Sequence, residues 1–104
     1  MKDLRIDVGV HTILHVNLTD VDFTDIKEIV FTVKNFSIPN APVIIERTFT
    51  EAGFYEVIIT PSESLKLVNG AEYDFNQVLN DGTRYKISDT GKIILRRSIG
   101  DYYD

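Results

Sequence analysis

Apolar and polar positions alternate with a period of two along most of the chain, the signature of strands that bury one face. Leu4, Ile6 and Val8 alternate with Arg5 and Asp7 before Gly9 permits a turn. A second run sets Leu14, Val16 and Leu18 on one face and Ile13, His15 and Asn17 on the other. Over residues 26–35 the spacing predicts a long central strand. There Ile29, Phe31 and Val33 share a face opposite Glu28, Val30, Thr32 and Lys34, and β-branched and aromatic side chains suit a pleated, half-buried surface. Pro39-Asn40-Ala41-Pro42 interrupts the ladder, since neither proline can donate a backbone hydrogen bond. Strands resume over 43–49 and, after the turn Glu51-Ala52-Gly53, over 54–60, with Tyr55, Val57 and Ile59 directed inward.

Residues 19–25 are rich in side chains that bond their own backbone and read as a connection. The one helical signal is 61–68, with proline and acid at its start and Asn69-Gly70 at its end; it predicts one or two turns. A strand over 73–80 places Tyr73, Phe75, Gln77 and Leu79 on one face. Asn80-Asp81-Gly82 then turns the chain into a return arm over 84–87, because Asp-Gly tolerates the positive φ of a tight hairpin. Ser88-Asp89-Thr90-Gly91 turns it again into a last strand over 92–99. The expected fold is all-β: an immunoglobulin-like antiparallel β-sandwich of about seven or eight strands with one short helical turn, since turn signals recur every ~8 to 12 residues. Residues 1–104 form a single domain, and 100–104 make a C-terminal tail that frays or docks.

Composition narrows the classes. At 104 residues the chain is one domain's length, and a domain of that size removes roughly two-thirds of its unfolded surface from water. A core then forms without staples. The absence of cysteine excludes a disulfide framework and a thiolate metal or redox site. Met1-Lys2-Asp3-Leu4-Arg5-Ile6-Asp7 carries charge where a signal peptide needs an apolar run, and no stretch approaches the ~20 apolar residues of a membrane span. The expectation is a soluble product made in the cytoplasm, with no membrane partner. Sixteen acidic against eleven basic residues, a net charge of -5, oppose binding to nucleic acid, where cationic neutralisation of phosphates supplies most of the affinity. The charge is uneven. Between 84 and 97 the basic residues Arg84, Lys86, Lys92, Arg96 and Arg97 face the single acid Asp89.

Candidate chemistry is sparse. His11 and His15 are four apart, which on a strand separates them by ~13 Å, too far to hold one ion. Asp20, Asp22 and Asp25 offer hard oxygen ligands, yet no glycine follows at the sharp turn of a calcium loop and Phe31 stands where its bidentate glutamate belongs. Capping of turns is their simpler role. Ser37, Ser62, Ser64, Ser88 and Ser98 fall near turns or strand ends and outside any Gly-x-Ser-x-Gly elbow. The glycines stand singly, so there is no phosphate loop. No enzyme, metal or cofactor is expected. The segment 84–97 reads as a basic hairpin that either docks an acidic partner or guards an edge against strand addition. Arg84, Tyr85, Lys86, Arg97, Tyr102 and Tyr103 form the candidate interface, because tyrosine and arginine are enriched at contact hot spots.

The order of segments resembles small phage tail proteins of the baseplate upper protein type, in their N-terminal immunoglobulin-like domain. The matching stretches are Val16-Asn17-Leu18-Thr19-Asp20, Asp22-Phe23-Thr24-Asp25-Ile26, Ile29-Val30-Phe31-Thr32-Val33-Lys34 and Gly53-Phe54-Tyr55-Glu56-Val57. Thr60-Pro61-Ser62-Glu63-Ser64-Leu65, Tyr73-Asp74-Phe75, Asp81-Gly82-Thr83-Arg84-Tyr85 and Gly91-Lys92-Ile93-Ile94-Leu95 follow in order. The resemblance implies a non-enzymatic bacteriophage or prophage virion protein, a tail or baseplate component. It would be made in the bacterial cytoplasm and work by protein–protein contact, as a homo-oligomer among other virion proteins. The chain departs from the pattern by lacking the long fibrous or receptor-holding extension of many relatives. The alternative class is an immunoglobulin-like module that recognises carbohydrate or a cell-surface partner. The lack of tryptophan weighs against its sugar-binding form.

Overall fold

Among the described residues the period-two pattern becomes eight strands and one helical turn: β1 (Leu4–Val8), β2 (Thr12–Asn17), β3 (Ile26–Lys34), β4 (Val43–Phe49), β5 (Phe54–Ile59), α1 (Pro61–Ser64), β6 (Glu72–Leu79), β7 (Arg84–Lys86) and β8 (Gly91–Arg97). The structure, a computed structural model, describes residues 3–36, 38–87 and 90–97. Ser37, Ser88, Asp89, Ser98, the tail 100–104 and with it Tyr102 and Tyr103 lie outside the described residues.

Two sheets make a sandwich of immunoglobulin-like order. The large sheet runs β1-β8-β6-β3-β4, with β7 added to β6, and among the described residues the small one holds β2 and β5. All pairings are antiparallel except β1 with β8, where Leu4 lies opposite Ile93 and Val8 opposite Arg97 in parallel. An antiparallel ladder throughout was expected. The exception arises because the first strand runs beside the last one in the large sheet instead of hairpinning onto β2.

The core sits between the sheets. Ile29, Phe31 and Val33 of β3 are buried, with Ile45 and Phe49 of β4, Tyr73 of β6, Ile6 of β1 and Ile93 of β8. Val16 of β2 and Val57 and Ile59 of β5 close it from the small sheet. Each such side chain contributes about 1.5–3 kcal/mol by leaving water. Val57 and Ile59 face inward as the alternation predicts, and Ile29, Phe31 and Val33 share a buried face; Val30, which the alternation sets opposite them, is buried as well.

The helical signal yields one turn, shorter than the eight residues it spans in sequence. Thr60 caps it, accepting from the Glu63 N–H at 3.2 Å, while the Glu63 carboxylate accepts from the Thr60 N–H at 3.1 Å. This reciprocal box satisfies two donors that a helix start leaves open. The chain then leaves the helix at Leu65 and carries Leu67 into the core. Burial of Leu67 decides the length of the helix.

The expected basic hairpin is not one. Arg84–Lys86 pair with Val78–Asn76 of β6, and Gly91 and Lys92 pair with Tyr73 and Glu72 along the same edge. Strands β7 and β8 therefore lie end to end on β6, with a two-residue slip in register between them, and β8 runs on to β1. The Ser-Asp-Thr-Gly signal predicts a reversal, whereas the paired residues on either side of it follow one edge of β6. The Asn80-Asp81-Gly82 hairpin does form: Gly82 has φ of 90°, and Asp81 Oδ1 accepts from the Thr83 N–H at 2.8 Å.

Candidate functional site

Strand β2 belongs to a two-stranded sheet, so one of its edges is covered by β5 and, among the described residues, no strand covers the other. In a sandwich whose first strand stayed with the small sheet, that edge would be filled. Here β1 has gone to β8, and a groove of about 470 Å³ opens along the whole of Ile13, Leu14, His15, Val16, Asn17 and Leu18.

The floor of the groove belongs to the large sheet. Phe31 of β3 and Tyr73 and Phe75 of β6 line it. Their rings form a cluster, with centroids 5.1 Å apart for Phe31 and Phe75 and 5.8 Å for Phe31 and Tyr73. Tyr73 and Phe75 meet edge to face at 6.5 Å. Such contacts fix ring orientation and add to the gain from burial. Leu4 of β1 and Ile87, just past β7, complete the lining. The large sheet therefore extends beneath the free edge of β2.

The chemistry of this lining is simple. It contains no Asp, Glu, Lys, Arg, Ser, Thr or Cys. Its titratable groups are His15 and the Tyr73 phenol, and burial, then the charge of Asp3, push that phenol above its ordinary value. A nucleophile with an adjacent base is not assembled there. On the outer face of β2, Ile13 lies opposite Ile58, His15 opposite Glu56 and Asn17 opposite Phe54. Ile13, Ile58 and Phe54 are about half exposed or more (52%, 48% and 60%). Apolar contact surface thus continues around the strand edge.

The candidate interface of the basic segment is divided. Arg84, Tyr85 and Lys86 are together and exposed on β7, and Lys86 Nζ donates to Thr90 Oγ1. Arg97 ends β8 opposite Val8, eleven residues further along the strand direction. At ~3.3 Å per residue that is roughly 35 Å from Arg84. The two arginines hold distant positions along the backbone of the sheet.

The remaining candidates fall to local roles. Asp22 Oδ1 accepts from the Thr24 N–H at 2.9 Å and from the Thr24 hydroxyl at 2.5 Å, and these bonds hold its carboxyl below the usual range. This is turn-capping. No group of three or more His, Cys, Asp or Glu able to hold a metal ion occurs among the described residues. His11 lies in the turn before β2 and His15 on the strand, stacked at 5.7 Å on Phe54. Ser64 is fully buried, donates to the Pro61 carbonyl at 2.7 Å and accepts from the Gly9 N–H at 3.0 Å. It fastens α1 to the turn after β1.

The sequence does not reveal the groove, although alternation separates Leu14, Val16 and Leu18 from Ile13, His15 and Asn17 on opposite faces of β2. Alternation reports faces. It does not report which strand lies beside an edge.

No family model matches the chain, and no curated protein matches it. Among solved structures, it is similar to the extracellular domain of mouse leukocyte-associated immunoglobulin-like receptor 1, determined as a strand-swapped dimer. The identity is 16% and the TM-score 0.45, over 92% of this chain and 81% of that one. The strand order above carries the fold assignment.

Proposed function

We propose that this chain is a non-enzymatic protein-interaction module, and within that class a structural component of a bacteriophage or prophage tail. The observation that carries the first part is the uncharged, apolar groove along an unpaired strand edge. Such a surface gains free energy by excluding water with another polypeptide and offers no group to activate a substrate. The second part rests on the ordered motifs from Val16-Asn17-Leu18 to Gly91-Lys92-Ile93. Assembly takes place in the bacterial cytoplasm, as a homo-oligomer beside other virion proteins. No helix among the described residues is long and apolar enough to cross a membrane.

Mass spectrometry of tail particles purified from the organism that encodes the chain tests this reading. The chain is expected at a fixed stoichiometry to the tail proteins. Particles that lack it, or specific binding of the purified domain on a glycan array, would overturn the virion assignment in favour of the recognition module.

A further inference from the structure

Edges of β-sheets are usually guarded by charge, because a bare row of N–H and C=O groups invites another strand. Among the described residues, charge guards every edge but one. Strand β1 carries Arg5 and Asp7, β4 carries Glu46 and Arg47, and β7 carries Arg84 and Lys86. Strand β5 carries Glu56, and its Ile58 carbonyl accepts from the Arg47 guanidinium at 3.1 Å. Strand β2, Thr-Ile-Leu-His-Val-Asn, has no Asp, Glu, Lys or Arg, in a chain where 26% of residues are charged.

We propose that the free edge of β2 is a strand-acceptor site, which takes one extended segment of a partner protein, uncharged and apolar at every second residue. It rests on reading the groove as a contact site, and it specifies what enters. Two features select this occupant. The edge exposes backbone groups that an apolar small molecule cannot satisfy, whereas a strand ~4.8 Å away satisfies each of them. The slot also has a floor, since Leu4 and Ile87 of the large sheet line the same groove as β2. A whole sandwich brought edge to edge against β2 would collide with that overhang, and a lone strand would not.

The alternate side chains of the incoming segment point down onto Phe31, Tyr73 and Phe75, and those between them lie beside Ile13 and His15. Charge complementarity here is the absence of charge on both sides. A Lys or Glu pointing at the aromatic floor would lose its hydration without a partner.

The test uses the purified chain and two probes. The first is a capped eight-residue peptide of alternating Thr and Val, supplied in trans. The second is the same sequence tethered ahead of Leu4 through a short Gly-Ser linker, which raises its effective concentration to about the millimolar range. Both are expected to slow amide exchange at residues 13–18, and the tethered form to raise the melting temperature. A Thr-Lys version should do neither. Ile87→Lys, at a position 43% exposed, should weaken the peptide about tenfold while the fold is kept. Absence of protection at 13–18 with both probes, or protection confined to 84–86, would overturn the acceptor site. Either result leaves the particle-composition experiment free to stand or fall separately.

Discussion

Arg47 and Glu63 join the large sheet to the helical turn: Arg47 Nη2 lies 2.8 Å from Glu63 Oε1 and 3.0 Å from Oε2. The same nitrogen donates to the Ile58 carbonyl of β5. One side chain on β4 thus ties three elements together, at Ile58 of β5, a strand that among the described residues pairs with β2 alone. Arg47 occupies a core-facing position of β4, opposite Phe31.

Arg47→Met should therefore cost more than an ordinary surface ion pair, about 1–2 kcal/mol at neutral pH, since it strips partners from both a carboxylate and a carbonyl. Burial pushes the Glu63 carboxyl up, but the hydrogen bonds from Arg47 and Thr60 and the Arg47 charge hold it below its ordinary value of 4.5. A carboxyl lowered by folding stabilises above its unfolded pKa and loses that contribution as pH falls through the folded one. Denaturant titrations should show the full difference between wild type and Arg47→Met at pH 5 and above. The difference should shrink steadily below the ordinary carboxyl value.

Gly91 opens β8 opposite Tyr73, and a β-carbon added there would clash with the Cε1, Cζ and hydroxyl edge of the Tyr73 ring. The constraint is close approach, not backbone conformation. Gly91→Ala should destabilise by about 1–3 kcal/mol through overpacking. In a Tyr73→Ala background most of that cost should vanish, which a double-mutant cycle would read directly.

These two residues also mark how far the sequence could be read. Alternation directs Val57 and Ile59 inward and groups Ile29, Phe31 and Val33 on one face and Tyr73 with Phe75 on another, because the period of two fixes faces locally; that these faces are the buried ones is seen only in the packed sheets. Asp81-Gly82 announced its hairpin, since positive φ at Gly82 is a local demand. Gly91 looked like a turn residue, yet it stands in a strand under a ring eighteen residues away in sequence. The parallel pairing of Leu4 with Ile93 and the bare edge of β2 are likewise consequences of which strands meet. Nothing within β1 or β2 encodes that choice in a pattern. For the same reason Arg84 and Arg97, neighbours in a one-dimensional charge count, are at opposite ends of one sheet edge.

Ser64 predicts a different kind of loss. Its buried hydroxyl accepts from the Gly9 N–H in the exposed turn after β1, so Ser64→Ala removes the bond that fastens that turn to α1. The expected cost is about 1 kcal/mol, the net contribution of one hydrogen bond, because the freed Gly9 donor is open to water. Hydrogen exchange at Gly9 should accelerate by more than at neighbouring amides of β1. Uniform acceleration over the whole chain would instead mean a global loss of stability with no local opening.

The basic strand β7 supports the last prediction, which separates edge protection from docking. Arg84, Tyr85 and Lys86 are all exposed, and among the described residues β7 pairs with β6 alone. Exposed substitutions of this kind change stability by no more than about 0.5 kcal/mol, so effects on association can be read cleanly. Protection depends on the presence of charge and not on its sign. The double variant Arg84→Val with Lys86→Val should then associate in a concentration-dependent way by light scattering, and Arg84→Glu with Lys86→Glu should stay as dispersed as the wild type. Docking on an acidic partner depends on sign, because like charges brought together at an interface repel. Under that reading the glutamate pair abolishes incorporation into particles, and the valine pair weakens it without causing self-association. The two substitutions thus return opposite patterns for the two roles of the same three residues.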